Sequence, residues 1–166
     1  MKRIKHLLDK TLELLTMVAV AVLVIDVVWQ IFTRFVMNDP SSWTEEFSTF
    51  LLMWVGLLGA AVAVNRSAHL GVDFFVLKFP PQTRVVVELF VYLLVGTFAV
   101  SVMIIGGTAL VQTTLATNQT SPALNWKMGY VYLCLPISGF FITFYSLFFL
   151  VTAILKLIKR EERAAA

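Results

Sequence analysis

Phe47-Ser48-Thr49-Phe50-Leu51-Leu52-Met53-Trp54-Val55-Gly56-Leu57-Leu58-Gly59-Ala60-Ala61-Val62-Ala63-Val64 contains no charged residue, and it is bounded by Glu45-Glu46 before and Asn65-Arg66 after. A helix needs roughly 20 apolar residues, at about 1.5 Å rise each, to cross the hydrocarbon of a bilayer. This stretch meets that need almost unaided. Working outward, residues 12–36 form a second such run, interrupted by Asp26, Gln30 and Arg34. Downstream, the chain is uncharged from Glu88 as far as Lys127, but Gln112 to Pro122 is polar enough to leave the hydrocarbon. Residues 128–155 are again free of charge. The spacing predicts an all-α membrane protein, one domain over residues 1–166, with spans at about 12–36, 44–64, 84–115 and 128–155.

Composition agrees. The 166 residues are 59% hydrophobic and 14% charged, with a mean hydropathy of +0.86. Soluble domains run at about 45–50% apolar and about 25% charged. A core of this size cannot hide the excess, whereas a lipid solvent accommodates it. The net charge of +3 does not imply a nucleic-acid partner, because the basic residues sit on short flanks beside the spans. In a membrane protein that pattern reports topology. Lys2, Arg3, Lys5 and Lys10, then Arg66, Lys78 and Arg84, then Lys156, Lys159, Arg160 and Arg163 all fall on one side. Arg34 and Lys127 fall on the other. The expectation is both termini in the cytoplasm. Basic residues precede the first apolar run, but that run is too long for a signal peptide and has no small-residue cleavage site behind it.

Local signals refine the frame. Ser42-Trp43-Thr44-Glu45 has capping-box spacing, which predicts that Ser42 caps the second helix while Glu45 reaches back to its amide. Glu45 and Glu46 also stand at the positive end of that helix dipole. Trp43, Trp126, Tyr130 and Tyr132 suit the outer membrane interface. Pro122 marks a turn, and Pro136 predicts a kink whose freed carbonyl neighbouring helices re-satisfy. Between spans two and three, residues 67–80 are too apolar for a solvated loop and too short and charged to cross. Leu70, Phe74 and Leu77 repeat at helical spacing, predicting a short amphipathic helix in the cytoplasmic interface, which would contact membrane lipids.

Chemistry-bearing residues are few. Asp26 sits near the middle of the first span, where a carboxylate costs about 2.5–3.5 kcal/mol on insertion scales. Gln30 and Arg34 follow at i+4 and i+8 on about the same face, and Asp26 and Arg34 stand about 12 Å apart along the axis, too far to pair. Two readings of Asp26 stay open: a proton or ion relay, or a polar anchor against a neighbouring helix or subunit. Glu45 and Glu46, with Trp43 and Lys127, can present a surface to an extracytoplasmic partner, although the helix dipole accounts for the two glutamates without one. His69 and Asp73 lie at i, i+4, but a metal site needs more ligands than this pair, and the only other histidine is His6. Cys134 is the sole cysteine, so there is neither a disulfide framework nor a thiolate metal site. Asn118-Gln119-Thr120 matches a glycosylation sequon, a pattern without meaning in a bacterial host. Gly56, Gly59, Ala60, Ala61 and Ala63 give the second span a small-residue face suited to close helix approach, as Gly106-Gly107 does in the third. No phosphate-binding glycine loop, catalytic triad or paired catalytic carboxylates occur, which argues against an enzyme.

Trp43-Thr44-Glu45-Glu46, Trp54, Leu58-Gly59-Ala60-Ala61, His69 with Val72-Asp73, Pro80, and then Ser121-Pro122-Ala123-Leu124, Tyr132 and Pro136 occur in an order and spacing with a family likeness. From about residue 10 to 155 the chain resembles the small membrane subunit (Q subunit, DctQ-like) of tripartite ATP-independent periplasmic (TRAP) transporters. The resemblance implies a multi-pass protein of the bacterial inner membrane that braces a large TRAP membrane subunit and helps dock a periplasmic substrate-binding protein. It also implies sodium-driven uptake of an organic acid, such as a C4-dicarboxylate or a sialic acid. No cofactor is expected on this chain, and the sodium ions are expected on the large subunit. On this reading Asp26 and Gln30 face the large subunit or a neighbouring helix, and Glu45, Glu46 and residues 116–127 lie near the binding protein. The rival reading is an autonomous four-helix proton-coupled exporter that uses Asp26. A cytochrome b-type anchor would need histidines inside the spans, and His6 and His69 lie outside them.

Overall fold

A computed structural model describes residues 2–39, 41–66 and 81–165; the side chains of residues 2–4, 81–82, 84–85 and 156–165 are outside that description. The predicted interfacial helix at 67–80, with His69 and Asp73, lies outside the described residues. The elements are α1 (Lys2–Phe35), α2 (Ser42–Asn65) and α3 (Pro81–Phe98). The last runs on without a break through a π-helical segment (Ala99–Gly106) into α4 (Gly107–Ala116). A one-turn helix α5 (Met128–Val131) and the long α6 (Cys134–Ala165) complete the chain. Among the described residues, four helical stretches are long and apolar enough to cross a membrane: Lys5–Phe35, Ser42–Asn65, Val86–Ala116 and Met128–Leu155. Four helices able to cross a membrane, as expected from hydropathy, are therefore present, and the first begins at Lys5, earlier than the expected residue 12.

The helices do not pack in chain order. α1 lies on α2, α2 on α6, and α6 on the α3–π–α4 rod, so the fourth span is the central one. The core gathers where they converge: Leu12 from α1, Leu58, Ala61 and Val64 from α2, Ala99 and Met103 from the π segment, and Phe141, Ile142 and Tyr145 from α6. Close approach there depends on an absent side chain. A Cβ on Gly139 of α6 would stand 2.7 Å from Met103 Cβ, nearer than atoms pack.

Two local expectations need correction. Ser42 does not cap α2. The N-cap residue is Ser41, with no side-chain capping bond, and Thr44 donates its hydroxyl to Ser41 O at 2.8 Å instead. Thr44 is fully buried, and seating it draws the helix start one residue back. Nor does Pro136 kink a continuous helix. Its ring excludes a helical bond to Tyr132 O, so the helix stops at Val131 and restarts at Cys134, placing the proline in a first turn that needs no donor there. Leu135 N–H takes Tyr132 O at 3.0 Å. The π segment had no signal in the hydropathy pattern. Ser101 and Thr108 hydroxyls donate to Thr97 O, Ile104 O and Ile105 O near its ends, supplementing the backbone ladder where its register changes.

Candidate functional site

The end of the bundle away from the termini carries most of the sequence-selected residues. α1 closes there through Asn38 at φ 52°, and α4 closes through residues 117–127, a compact loop with Asn118 at φ 49° and Asn125 at φ 54°. Asparagine occupies this left-handed region more readily than other side-chain-bearing residues. Backbone bonds tie the loop across itself: Ser121 N–H to Trp126 O at 2.9 Å and Met128 N–H to Gln119 O at 2.9 Å, with a bridge between Thr120 and Lys127.

Glu46 fixes this loop to α2. Its Oε2 accepts the backbone N–H of Ala123 at 3.0 Å and of Leu124 at 2.8 Å. Phe47, one residue on, meets Trp126 edge-to-face with ring centroids 5.8 Å apart and Trp43 at 6.4 Å. One carboxylate and one aromatic cluster thus hold two chain segments about 80 positions apart in one rigid surface. Trp43, Glu45 and Lys127 are exposed on it. The sequence indicated acidic residues here but gave no sign that Glu46 is engaged while Glu45 is free. Below this surface a groove of about 370 Å³ runs between α1, α2 and α5, lined by apolar and aromatic residues such as Val22, Phe50, Trp54 and Tyr130.

Asp26, Gln30 and Arg34 are not brought together. Asp26 is buried, with Oδ2 lacking any hydrogen-bond partner. Gln30 is half-buried, and Arg34 is exposed, its guanidinium 5.9 Å from the centroid of the Phe35 ring. α1 packs chiefly on α2, so Asp26 is turned toward the bundle and away from lipid. No second acidic or basic residue is among the buried residues described. No group of three or more histidine, cysteine, aspartate or glutamate side chains that could hold a metal occurs among the described residues.

Polar contacts missed by the sequence reading lie at the opposite end. Arg66, closing α2, donates to Glu13 of α1 at 3.0 Å. Lys5 sits 5.1 and 5.2 Å from the ring centroids of Phe148 and Phe149, and fully buried Tyr145 neighbours Asp9. The signal available was a pair of acids, Asp9 and Glu13, one turn apart on α1 with Arg66 at the end of the next span.

Comparison with known proteins follows the same frame. The family described as "Tripartite ATP-independent periplasmic transporters, DctQ component" matches residues 23–156. The chain is 35% identical over 105 residues to the sialic acid TRAP transporter small permease protein SiaQ of Vibrio cholerae, a match spanning 62% of this chain and 61% of that relative. It is 28% identical over 143 residues to a TRAP transporter small permease protein of Haemophilus influenzae, covering 86% and 87% of the two chains. A third match, 39% identical over 66 residues, is to the sialic acid TRAP transporter permease protein SiaT of Haemophilus influenzae, where it occupies 11% of a much longer chain.

Proposed function

Since this chain belongs to the DctQ family of TRAP transporter components, a family of permease subunits and not of enzymes, we propose that it is the scaffold subunit of a secondary transporter importing an organic acid across the inner membrane. The observation that carries this reading is the lack of a polar route. Among the described residues the buried polar groups are Asp26, six serine and threonine hydroxyls and the Tyr145 phenol, and none is cationic. An anionic substrate at mid-membrane requires cations or broken-helix N-termini. Transport chemistry and the sodium ions that drive it therefore belong to a large permease subunit, and this chain enlarges and steadies that subunit's fixed part. The short match within a long permease relative supports such a partner. Sialic acid is the substrate class that the named relatives support.

The rigid surface built by Glu46, Trp126 and residues 117–127 suits docking of a substrate-binding protein. Exposed Trp43, Glu45 and Lys127 supply contacts of both charge signs, and both termini lie in the cytoplasm.

Reconstitution tests the scaffold reading. The purified chain alone in liposomes should show no uptake. The chain with its large permease subunit, the binding protein and an inward sodium gradient should accumulate substrate. Asp26→Asn should retain uptake within about twofold, because a carboxyl with no polar path beside it cannot relay a proton across the membrane. Transport by the chain alone, abolished by Asp26→Asn, would establish the exporter reading instead.

A further inference from the structure

On α2 the groove that opens beside α1 and α5 is walled by Phe47, Phe50, Leu51, Trp54 and Leu58. These positions recur at helical spacing, so the groove runs along the axis of α2 rather than across it. From Phe47 to Leu58 it extends about 16.5 Å at 1.5 Å per residue, roughly half of a 30 Å hydrocarbon core. A volume of about 370 Å³ over that length leaves a mean cross-section of about 22 Å². An α-helix is about 10–12 Å across with its side chains and does not enter such a slot. Hydrocarbon carbons pack about 4 Å from their neighbours, so a single acyl chain fits lengthwise.

The two ends of the groove differ. Leu58, 1% exposed, lies at the deep end. Trp126 and Tyr130 rim the mouth, on the side of the bundle away from the termini, and are 51% and 61% exposed. Trp126 is held there by its edge-to-face contact with Phe47. Indole and phenol rings favour the headgroup level of a bilayer. Lys127, between these two aromatics in sequence, is exposed and pairs with no carboxylate among the described residues. An ammonium at that level complements the phosphodiester of a lipid as a charge-assisted donor. Below the mouth, none of the buried unpartnered polar atoms belongs to a lining residue, so a hydrocarbon tail there leaves no such group unsatisfied.

We propose that this groove binds one glycerophospholipid of the extracytoplasmic leaflet, its tail along the Phe47–Leu58 stripe and its phosphodiester on Lys127. The tail fills space that side chains of α1, α2 and α5 leave open, and the headgroup borders the surface suited to docking. The leaflet follows from the orientation with both termini in the cytoplasm. The site itself needs no other subunit.

Native mass spectrometry of the full chain, purified from membranes in mild detergent, tests this. The unaltered chain should carry one phospholipid. Lys127→Ala, an exposed change outside the packed core, should lower the lipid-bound fraction about fivefold, as expected for one basic side chain at the headgroup level. Ala19→Trp, which fills the groove from α1, should lower it about tenfold or more. Ile25→Trp, equally bulky but at an exposed position of α1 outside the groove, should leave it unchanged. In the assembled transporter, p-benzoylphenylalanine at Val18, exposed on the groove's edge, should cross-link to phospholipid. Absence of bound phospholipid from the unaltered chain overturns the proposal, as does retention by Lys127→Ala within twofold. Equal loss in Ala19→Trp and Ile25→Trp, or cross-linking from Val18 to another polypeptide, also overturns it. Failure to co-purify a large membrane subunit overturns the scaffold reading alone, because lipid retention is measured on this chain by itself.

Discussion

Glu46 illustrates what a single residue contributes and why neighbouring sequence does not reveal it. Glu45 and Glu46 look alike in sequence, both one turn from the start of α2. Helical rotation separates them by about 100°, which turns Glu46 toward residues 117–127 and leaves Glu45 in solvent. Hydrogen bonds to a charged acceptor contribute about 1.5–3 kcal/mol each when well shielded, and less here, since Glu46 is half-buried. Glu46→Ala should therefore raise hydrogen exchange at the Ala123 and Leu124 amides by about tenfold, equivalent to about 1.4 kcal/mol of local stability. Unchanged exchange at those two amides would remove the clasp from the account. Asp26 is the converse case: mid-span position made it conspicuous in the sequence, yet only the packing showed that it faces the bundle without meeting Gln30 or Arg34.

Among whole elements, glycine separates internal packing from exposed surface. The second span's small-residue face was legible in the sequence, but its use was not. Gly56 and Gly59 have nothing within 4 Å of where a Cβ would stand, whereas Gly139 has Met103 Cβ at 2.7 Å. Gly139→Ala should destabilise the purified chain by about 1–3 kcal/mol through overpacking. Gly59→Ala should be neutral or stabilising by up to about 1 kcal/mol, since alanine is the better helix former. Unfolding in mixed detergent measures both, and equal effects at the two sites would contradict the packing described. The π segment and the break at Tyr132 belong to this scale too. Pro136 announced a disruption four residues upstream, through the carbonyl it cannot bond, while nothing in the apolar run 99–106 distinguishes π from α geometry.

For the molecule as a whole, the decisive question is which end faces which compartment. With the basic flanks in the cytoplasm, Ala123→Cys, on the exposed loop at the far end, should react with a membrane-impermeant maleimide in intact cells. Lys2→Cys should react only after permeabilisation, and buried Cys134 should stay silent in both. Labelling of Lys2→Cys in intact cells would invert the topology and, with it, the docking face. The helical class and the four apolar stretches able to cross a membrane were legible in the sequence alone, because one solvent acts on each segment separately: twenty apolar residues in a row favour lipid whatever their neighbours do. Tertiary structure alone decided the order of packing, with the fourth span at the centre, the Glu46 clasp, and the groove between α1, α2 and α5. Each depends on the rotation of one helix about its axis against another, and with lipid as apolar as the helices themselves, hydropathy does not distinguish which face a helix turns inward.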